Sequence, residues 1–403
     1  MANSFWVGSN VAVRNDYEVY LSQTAVTWNE LFQLYPNSAI QMWGINDYGQ
    51  LADGSVTSRS SPVGISKALS WKNVALGKET TWAIANDDSL WASGRNNLTQ
   101  LGIGTAGGPV STPVQVGTAT TWQSVQGYLH ALAIQNSNSM WSWGDNQQGE
   151  LGLNDTSQRS APVLITAHGN IWMQASAGQF YSAAISVAGD LYMWGVNSAG
   201  QLGFGDTVSR STPVMLSGNK WVQVVTASST AEAIPSNSHT LAIRQDNTLW
   251  AWGYNDMGQL GDGTTVDKNS PIQIGSEAFW ISVAVGANHS MAIRSDGSLY
   301  AWGDNSSGKL GLGDTTDRSS PVQVGNLNTW RQVKCSQINT YAIKSNGTLW
   351  AWGSGTQGQL GNNSISSVSS PVQVGLLDNW KSLQAGNLYA GAISWPKTYN
   401  SPG

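Results

Sequence analysis

Charge is scarce in this chain: Asp, Glu, Lys and Arg make up 11% of its 403 residues, against about 25% in an ordinary soluble domain. The net charge is −5, and no cluster of Lys or Arg interrupts the sequence. That leaves no electrostatic footprint for nucleic acid or an anionic membrane, and neither is expected as a partner. Cysteine is all but missing. Cys335 stands alone, which excludes an internal disulfide and a disulfide-stapled scaffold. No apolar run reaches the roughly 18 residues of a membrane span. The opening stretch MANSFWVGSNVAVRNDYEV has no basic segment followed by an apolar one, so no signal peptide is expected. The G-x-S-x-G, H-E-x-x-H, phosphate-loop and C-x-x-C patterns are also missing. Catalysis, a cofactor and a resident metal are therefore not expected.

Glycine and tryptophan are abundant instead, at 45 and 21 residues. The reason is a repeat. Residues 248–275 read TLWAWGYNDMGQLGDGTTVDKNSPIQIG, and much of that returns at 298–325 and 348–375. A Trp-Gly step, or its substitute, falls at Trp43, Ser93, Trp143, Trp194, Trp252, Trp302 and Trp352, spaced by 50, 50, 51, 58, 50 and 50 residues. A fixed period in this range marks a solenoid, propeller or array whose units bury their core only against neighbours.

Each unit has one grammar. An apolar strand ends in Trp-Gly, and a polar N-x-x-G-Q-L-G loop follows, as in Asn255–Gly261. A second loop leads to Ser-Pro or Thr-Pro and a short strand. A Trp then opens a third strand, and a fourth ends in Ala-Ile before a tight turn such as Ser295-Asp-Gly297. Four short strands, Gly-rich turns and no helical period predict antiparallel blades. Seven of them make an all-β propeller, which hides its sheet edges. The last Ala-Ile strand, at Ile393, has no following Trp-Gly strand, and the first Trp-Gly strand, Ile40–Gly44, has no preceding partner. These two are expected to pair and close the ring. Large rings at one phase of every blade fill the wedge between sheets.

The propeller is thus placed at 40–394, with a tail at 395–403 and an N-terminal extension at 1–39. In the extension, alternating Val11, Val13, Tyr17, Val19 and Leu21 predict one or two strands. Thr27-Trp-Asn-Glu30 has capping-box form ahead of a short helix that Pro36 stops. Its aromatic side chains, Trp6, Tyr17, Tyr20, Trp28 and Phe32, make it a candidate attachment or capping segment.

The stretch LYAWGDNSSGKLGLGDTTDRSSPVQV at 299–324, together with Trp280-x-x-Val283, Gly286, His289 and Ala292-Ile293, resembles the regulator of chromosome condensation repeat. All seven copies carry the series, from about Ile40 to Ser394. The resemblance implies a seven-bladed propeller and leaves the function open, because members include a nucleotide exchange factor for a small nuclear GTPase, a plant ultraviolet-B photoreceptor, a secreted β-lactamase inhibitor, ubiquitin-ligase modules, and bacterial and phage proteins. The exchange factor's basic surface and the photoreceptor's Gly-Trp-Arg-His-Thr motifs have no counterpart here.

Four groups of residues compete for a functional role. His130, His239 and His289 share one repeat position, which spreads them around a ring; they read as structural, not as metal ligands. Arg59, Arg159, Arg210, Lys268 and Arg318 stand three residues before the repeat proline, and pairing with loop acids such as Asp155, Asp206 and Asp314 is expected. Those acids, with Asp53 and Asp262, come singly and lack the spacing of a calcium loop. Departures from the repeat are the better candidates. An insertion at Thr226–Ser238 brings Thr226, Ser229, Glu232, Pro235 and Asn237. The copy that has Ser93 in place of Trp has a changed loop, 97–110, with Asn97, Leu98 and Thr99 at its start.

The expected function is non-enzymatic protein–protein interaction, as a phage virion component: a capsid decoration, head-fibre or tail protein, placed on the virion surface or in the cytoplasm. The alternative is a propeller that inhibits an enzyme or recognises a host receptor, with nucleotide exchange a more distant third.

Overall fold

The computed structural model describes residues 39–67, 69–228 and 238–395. The strands and helix expected before Ala39, the attachment aromatics, and most of the 395–403 tail lie outside them. Twenty-eight strands form seven four-stranded antiparallel sheets. We number the blades I to VII: 71–120, 122–164, 172–216, 221–273, 280–323, 330–373, and 380–394 with 39–64.

Within a blade the strands run from the axis outward. The first strand opens on the inner Trp, as in Trp280–Val285; the second is the Ala-Ile strand, His289–Arg294; the third is the Trp-Gly strand, Leu299–Gly303; the fourth carries the proline, Arg318–Gln323. First strands of successive blades touch around the axis, and fourth strands form the perimeter. This order explains the burial. Second strands such as Tyr181–Ser186 are buried at every residue because both faces of their sheet are covered by neighbouring blades. Fourth strands are only part-buried, so they tolerate the polar residues and proline that an edge accepts.

Blade VII is built from both ends of the chain. Ala39–Gly44 pairs with Tyr389–Ser394, matching Ala39 to Ser394, Gln41 to Ala392 and Gly44 to Tyr389. The expected closure is therefore present, with its first residue at Ala39, one earlier than the boundary read from the sequence.

Adjacent blades interlock at a glycine. Gly261 has φ +83°, and a Cβ there would lie 2.7 Å from the Trp302 indole nitrogen of the next blade. Gly102, Gly152, Gly203, Gly311 and Gly361 sit in the same way against Trp143, Trp194, Trp252, Trp352 and Trp43. The one departure is a matched pair. Ala52 takes the glycine's place with φ 58°, and the residue due to pack on it is Ser93, not tryptophan. A void of about 10 Å³ lined by Ala52, Thr81, Ala92 and Ser93 remains between them. Ser93→Trp should therefore destabilise by about 1–3 kcal/mol through overpacking. Ala52→Gly combined with it should recover that loss or more. Urea unfolding of the two single variants and the double variant reads the coupling.

Candidate functional site

The polar residues shared by all blades hold the ring together. In six of the seven loops the side chain of the first Asn closes the turn, Gly355 standing there in blade VI: Asn305 Nδ2 donates to the carbonyls of Asp314 and Thr316 at 3.0 and 3.2 Å, and its Oδ1 accepts from the Leu310 amide at 3.0 Å. The carbonyl of the G-Q-L residue then bolts the next blade. Gln259 O accepts from the Ser290 hydroxyl at 2.7 Å and from the Trp302 indole at 2.8 Å. Gln201 serves Thr240 and Trp252 alike, and Glu150 serves Ser182 and Trp194. Near the axis, Gln174 and Gln223 bond both amide and carbonyl of the adjoining blade's first strand, at Val224 and Val283. Their side chains stand in for a peptide group and satisfy an edge that would otherwise be open.

The histidines join this network. His130, His239 and His289 are fully buried, and each Nε2 lies 2.7–3.0 Å from a hydroxyl of the next blade: Ser182, Ser290 and Thr340. Those hydroxyls donate to backbone carbonyls, so each histidine donates from Nε2. Burial holds His130 and His239 down to about 3, and His289 also well below its ordinary value. The sign follows. The folded pKa lies below the unfolded 6.5, so stability is complete above pH 6.5 and is lost as pH falls toward 3. Each histidine contributes at most about 1.4 kcal/mol per pH unit to that slope. Replacing any one of the three by glutamine should flatten it, measured as urea midpoints from pH 7 to 5.

Arg59, Arg159, Arg210, Lys268 and Arg318 pair with Asp53, Asp155, Asp206, Asp262 and Asp314 of their own loops. At Asp206, the Arg210 hydrogen bond and the Val208 amide bring the carboxyl down to about 2. Other cations cover tryptophans: the Arg244 guanidinium lies 3.2 Å from the ring centre of Trp250 and 5.1 Å from that of Trp221. Among the described residues no group of three or more His, Cys, Asp or Glu could hold a metal ion.

The remaining surface divides into two faces. First and third strands run toward a face carrying the N-x-x-G-Q-L-G loops, the loop face. Second and fourth strands return to a face of hairpin turns and inter-blade connections, the turn face. The loop 97–110 of blade I lies on the loop face, and the described ends of the insertion, Thr226 and Ser238, stand on that face of blade IV. Asn97 is exposed there and Leu98 half-buried. Two expected contact residues are corrected. Thr99 is buried, its hydroxyl donating to the Arg159 carbonyl of blade II at 3.0 Å. Thr226 ends the strand Trp221–Thr226, and its hydroxyl is bonded to Ser176 of blade III at 2.8 Å. Both serve blade-to-blade bonding. Ser229, Glu232, Pro235 and Asn237 lie outside the described residues.

Ala39 and Trp395 both lie at the turn face, so residues 1–38 join the propeller there. Three adjacent connections on this face expose large apolar side chains: Phe279 (57%) before blade V, Leu327 (45%) before blade VI and Leu376 (94%) before blade VII. Ile281 beside Phe279 is 47% exposed. The connections into blades II and IV, GTATT and SGNK at 117–121 and 217–220, carry no large apolar residue. Neither this cluster nor the inner-strand glutamines were among the sequence candidates. The leucines and phenylalanine were visible in the sequence but not their shared face.

The profile of the regulator of chromosome condensation (RCC1) repeat matches residues 137–185, 188–231, 246–293, 296–343 and 346–393, and a second RCC1 profile matches 280–309. The chain belongs to the RCC1 repeat family. Blade I and the 39–64 half of blade VII, outside the five main matches, have the same four-strand arrangement. Among RCC1-family relatives, the chain is 32% identical to the ultraviolet-B receptor UVR8 of Arabidopsis thaliana over 248 residues, 60% of this chain and 55% of that one. It is 29% identical to human E3 ubiquitin-protein ligase HERC2 over 257 residues, 60% of this chain and 5% of that one. It therefore spans about half of UVR8 and a small part of HERC2. The propeller superposes on the RCC1 protein Prp20p of Saccharomyces cerevisiae with a TM-score of 0.78 at 18% identity, covering 93% and 96% of the two chains. On human WBSCR16 the TM-score is 0.75 at 19% identity, covering 89% and 99%. No described helix is long and apolar enough to cross a membrane.

Proposed function

We propose that this RCC1-repeat propeller is a non-enzymatic protein-binding module that seats on a larger assembly by its turn face and presents its loop face outward. The observation that carries this reading is the run Phe279, Leu327 and Leu376 on three adjacent connections, beside the junction with residues 1–38. Large apolar side chains exposed on adjacent connections of one face mark a contact surface; the loop face also exposes Val56, Val208, Val266 and Ile365, one to a blade. The histidines are engaged between blades and the paired acids within their own loops, which supports binding over chemistry. The narrower form of the proposal is a phage virion component: a capsid decoration, head fibre or tail protein. Low charge, Ser/Thr/Asn-rich outer loops and an aromatic-rich N-terminal extension with Trp6, Tyr17, Tyr20, Trp28 and Phe32 support it. Prp20p binds Gsp1p and histones; for this chain we propose protein partners matched to a sparsely charged surface, Asp, Glu, Lys and Arg being 11% of its residues.

The competing reading is an inhibitor or receptor-binding propeller acting through the loop face, favoured by the exposed Asn97 and the insertion on that side. One experiment separates them. Phe279, Leu327 and Leu376 are changed together to serine, and Asn97 and Leu98 separately to alanine. Sedimentation of particles from the source organism and capture of partners are then compared. Seating by the turn face predicts at least tenfold less particle-bound protein for the serine variant and no change for the loop variant. Full occupancy by a folded serine variant would sink the proposal, and loss confined to the loop variant would favour the inhibitor.

A further inference from the structure

Five of the seven bolting positions are glutamine: Gln50, Gln100, Gln201, Gln259 and Gln359. The other two are charged. In blade V, Lys309 is 2% exposed and pairs with Asp304, five residues before it. In blade II the same position is Glu150, and five residues before it stands another aspartate, Asp145. Both are sealed, at 0% and 1% exposure. Glu150 Oε2 accepts from the Gln148 amide at 2.7 Å, while Oε1 is buried without a hydrogen-bond partner. Asp145 Oδ1 already accepts from the Asn146 amide at 3.0 Å and from Gln158 at 3.2 Å. A slot that holds an ammonium beside a carboxylate in one blade thus holds two carboxyls in another.

Two buried carboxyls that act on each other cannot both ionise without a large penalty. The titratable groups around Glu150 offer no compensation. His130 reaches the same Ser182 hydroxyl that bonds the Glu150 carbonyl, and Tyr181 precedes Ser182 in the chain. Burial keeps His130 neutral, with its pKa near 3, and pushes the Tyr181 hydroxyl up. At the outer end of the loop, Asp155 and Arg159 pair with each other. Burial, with the Asp145 charge added, pushes Glu150 up to about 8.

We propose that Glu150, sealed in the same loop as Asp145, keeps its proton, and that this proton latches the seam between blades II and III. The link from proton to seam is short. The backbone carbonyl of Glu150 accepts both the Ser182 hydroxyl and the Trp194 indole of blade III, each at 2.8 Å. When the proton leaves, two negative charges occupy a dry slot. The loop then moves its carboxyls toward water and withdraws that carbonyl. The sign is the reverse of the histidines': the seam is tight at low pH and loosens as pH rises through the folded value.

The test is amide hydrogen exchange on the full chain, corrected for intrinsic rates. The amides of Gly149, Leu151 and Gly152 report the blade II loop, and those of Gly308, Leu310 and Gly311 the blade V loop. Protection in blade II should fall at least tenfold between pH 6 and pH 9 while blade V stays level, since release of one proton changes an equilibrium tenfold per pH unit. Glu150→Gln installs the residue found in five other blades, and Glu150→Lys recreates the blade V pair; both should abolish the fall. Unchanged protection in the native chain, or an equal fall in Glu150→Gln, would overturn the proposal. So would a fall at pH 9 that calcium prevents and a chelator restores, because the pair would then hold a metal ion and not a proton.

Discussion

Trp302→Ala should lower stability by about 3–5 kcal/mol, the range for removing a fully buried tryptophan. The side chain is 0% exposed, its indole N–H donates to the Gln259 carbonyl of blade IV, and its ring lies on Gly261 of the same blade. Removal therefore opens a cavity and leaves a buried carbonyl with one donor fewer. Ser93→Ala is the control. It stands at the equivalent position in blade I with its hydroxyl already lacking a partner, so its cost should stay below about 1 kcal/mol. Chemical denaturation of both variants gives the comparison. Equal effects would mean that the tryptophan contacts do not bind blade to blade.

The second large effect concerns closure. A chain beginning at residue 45 lacks Ile40, Met42 and Trp43, all at most 1% exposed. It also leaves Tyr389–Ser394 without its partner along six matched residues. Three buried side chains at about 2–5 kcal/mol each are comparable with the whole stability of a typical domain, about 5–15 kcal/mol. The shortened chain should show no cooperative thermal transition and should aggregate through the bared strand. Adding a peptide of residues 39–64 in trans should restore a transition. A truncated chain that melts as the native one does would show that the ring does not depend on its clasp.

Much of this architecture was legible because the repeat states it seven times. Glycine, tryptophan and Ala-Ile at constant phase leave one arrangement that buries them all, and the two unmatched strands at the chain ends name their own partner. The pairing of Arg159 with Asp155 was readable for the same reason: the spacing recurs. Direction was harder. Thr99 and Thr226 fall where the pattern breaks, which locates them in the chain without saying which way they point. Thr99 has φ 59° and turns its hydroxyl onto the neighbouring blade. Thr226 ends an inner strand and turns its hydroxyl onto Ser176 of the preceding blade. The turn-face residues were out of reach because Phe279, Leu327 and Leu376 occupy different positions within their connections and share only a face of the fold. Glu150 was visible as one glutamate in a column of five glutamines and a lysine. Its meaning needed the burial that only the folded loop supplies.

The union of Ala39 with Ser394 has a mechanical consequence. These residues face each other at one end of an antiparallel ladder, so tension applied between the two ends of the propeller loads the hydrogen bonds singly, beginning with that pair. Such a joint unzips at low force, where a sheared one would resist. Tension entering through residues 1–38 alone, against a disc braced across its broad side, bypasses that rupture line. Single-molecule pulling from the two ends should give an early, small rupture for blade VII before any other blade yields.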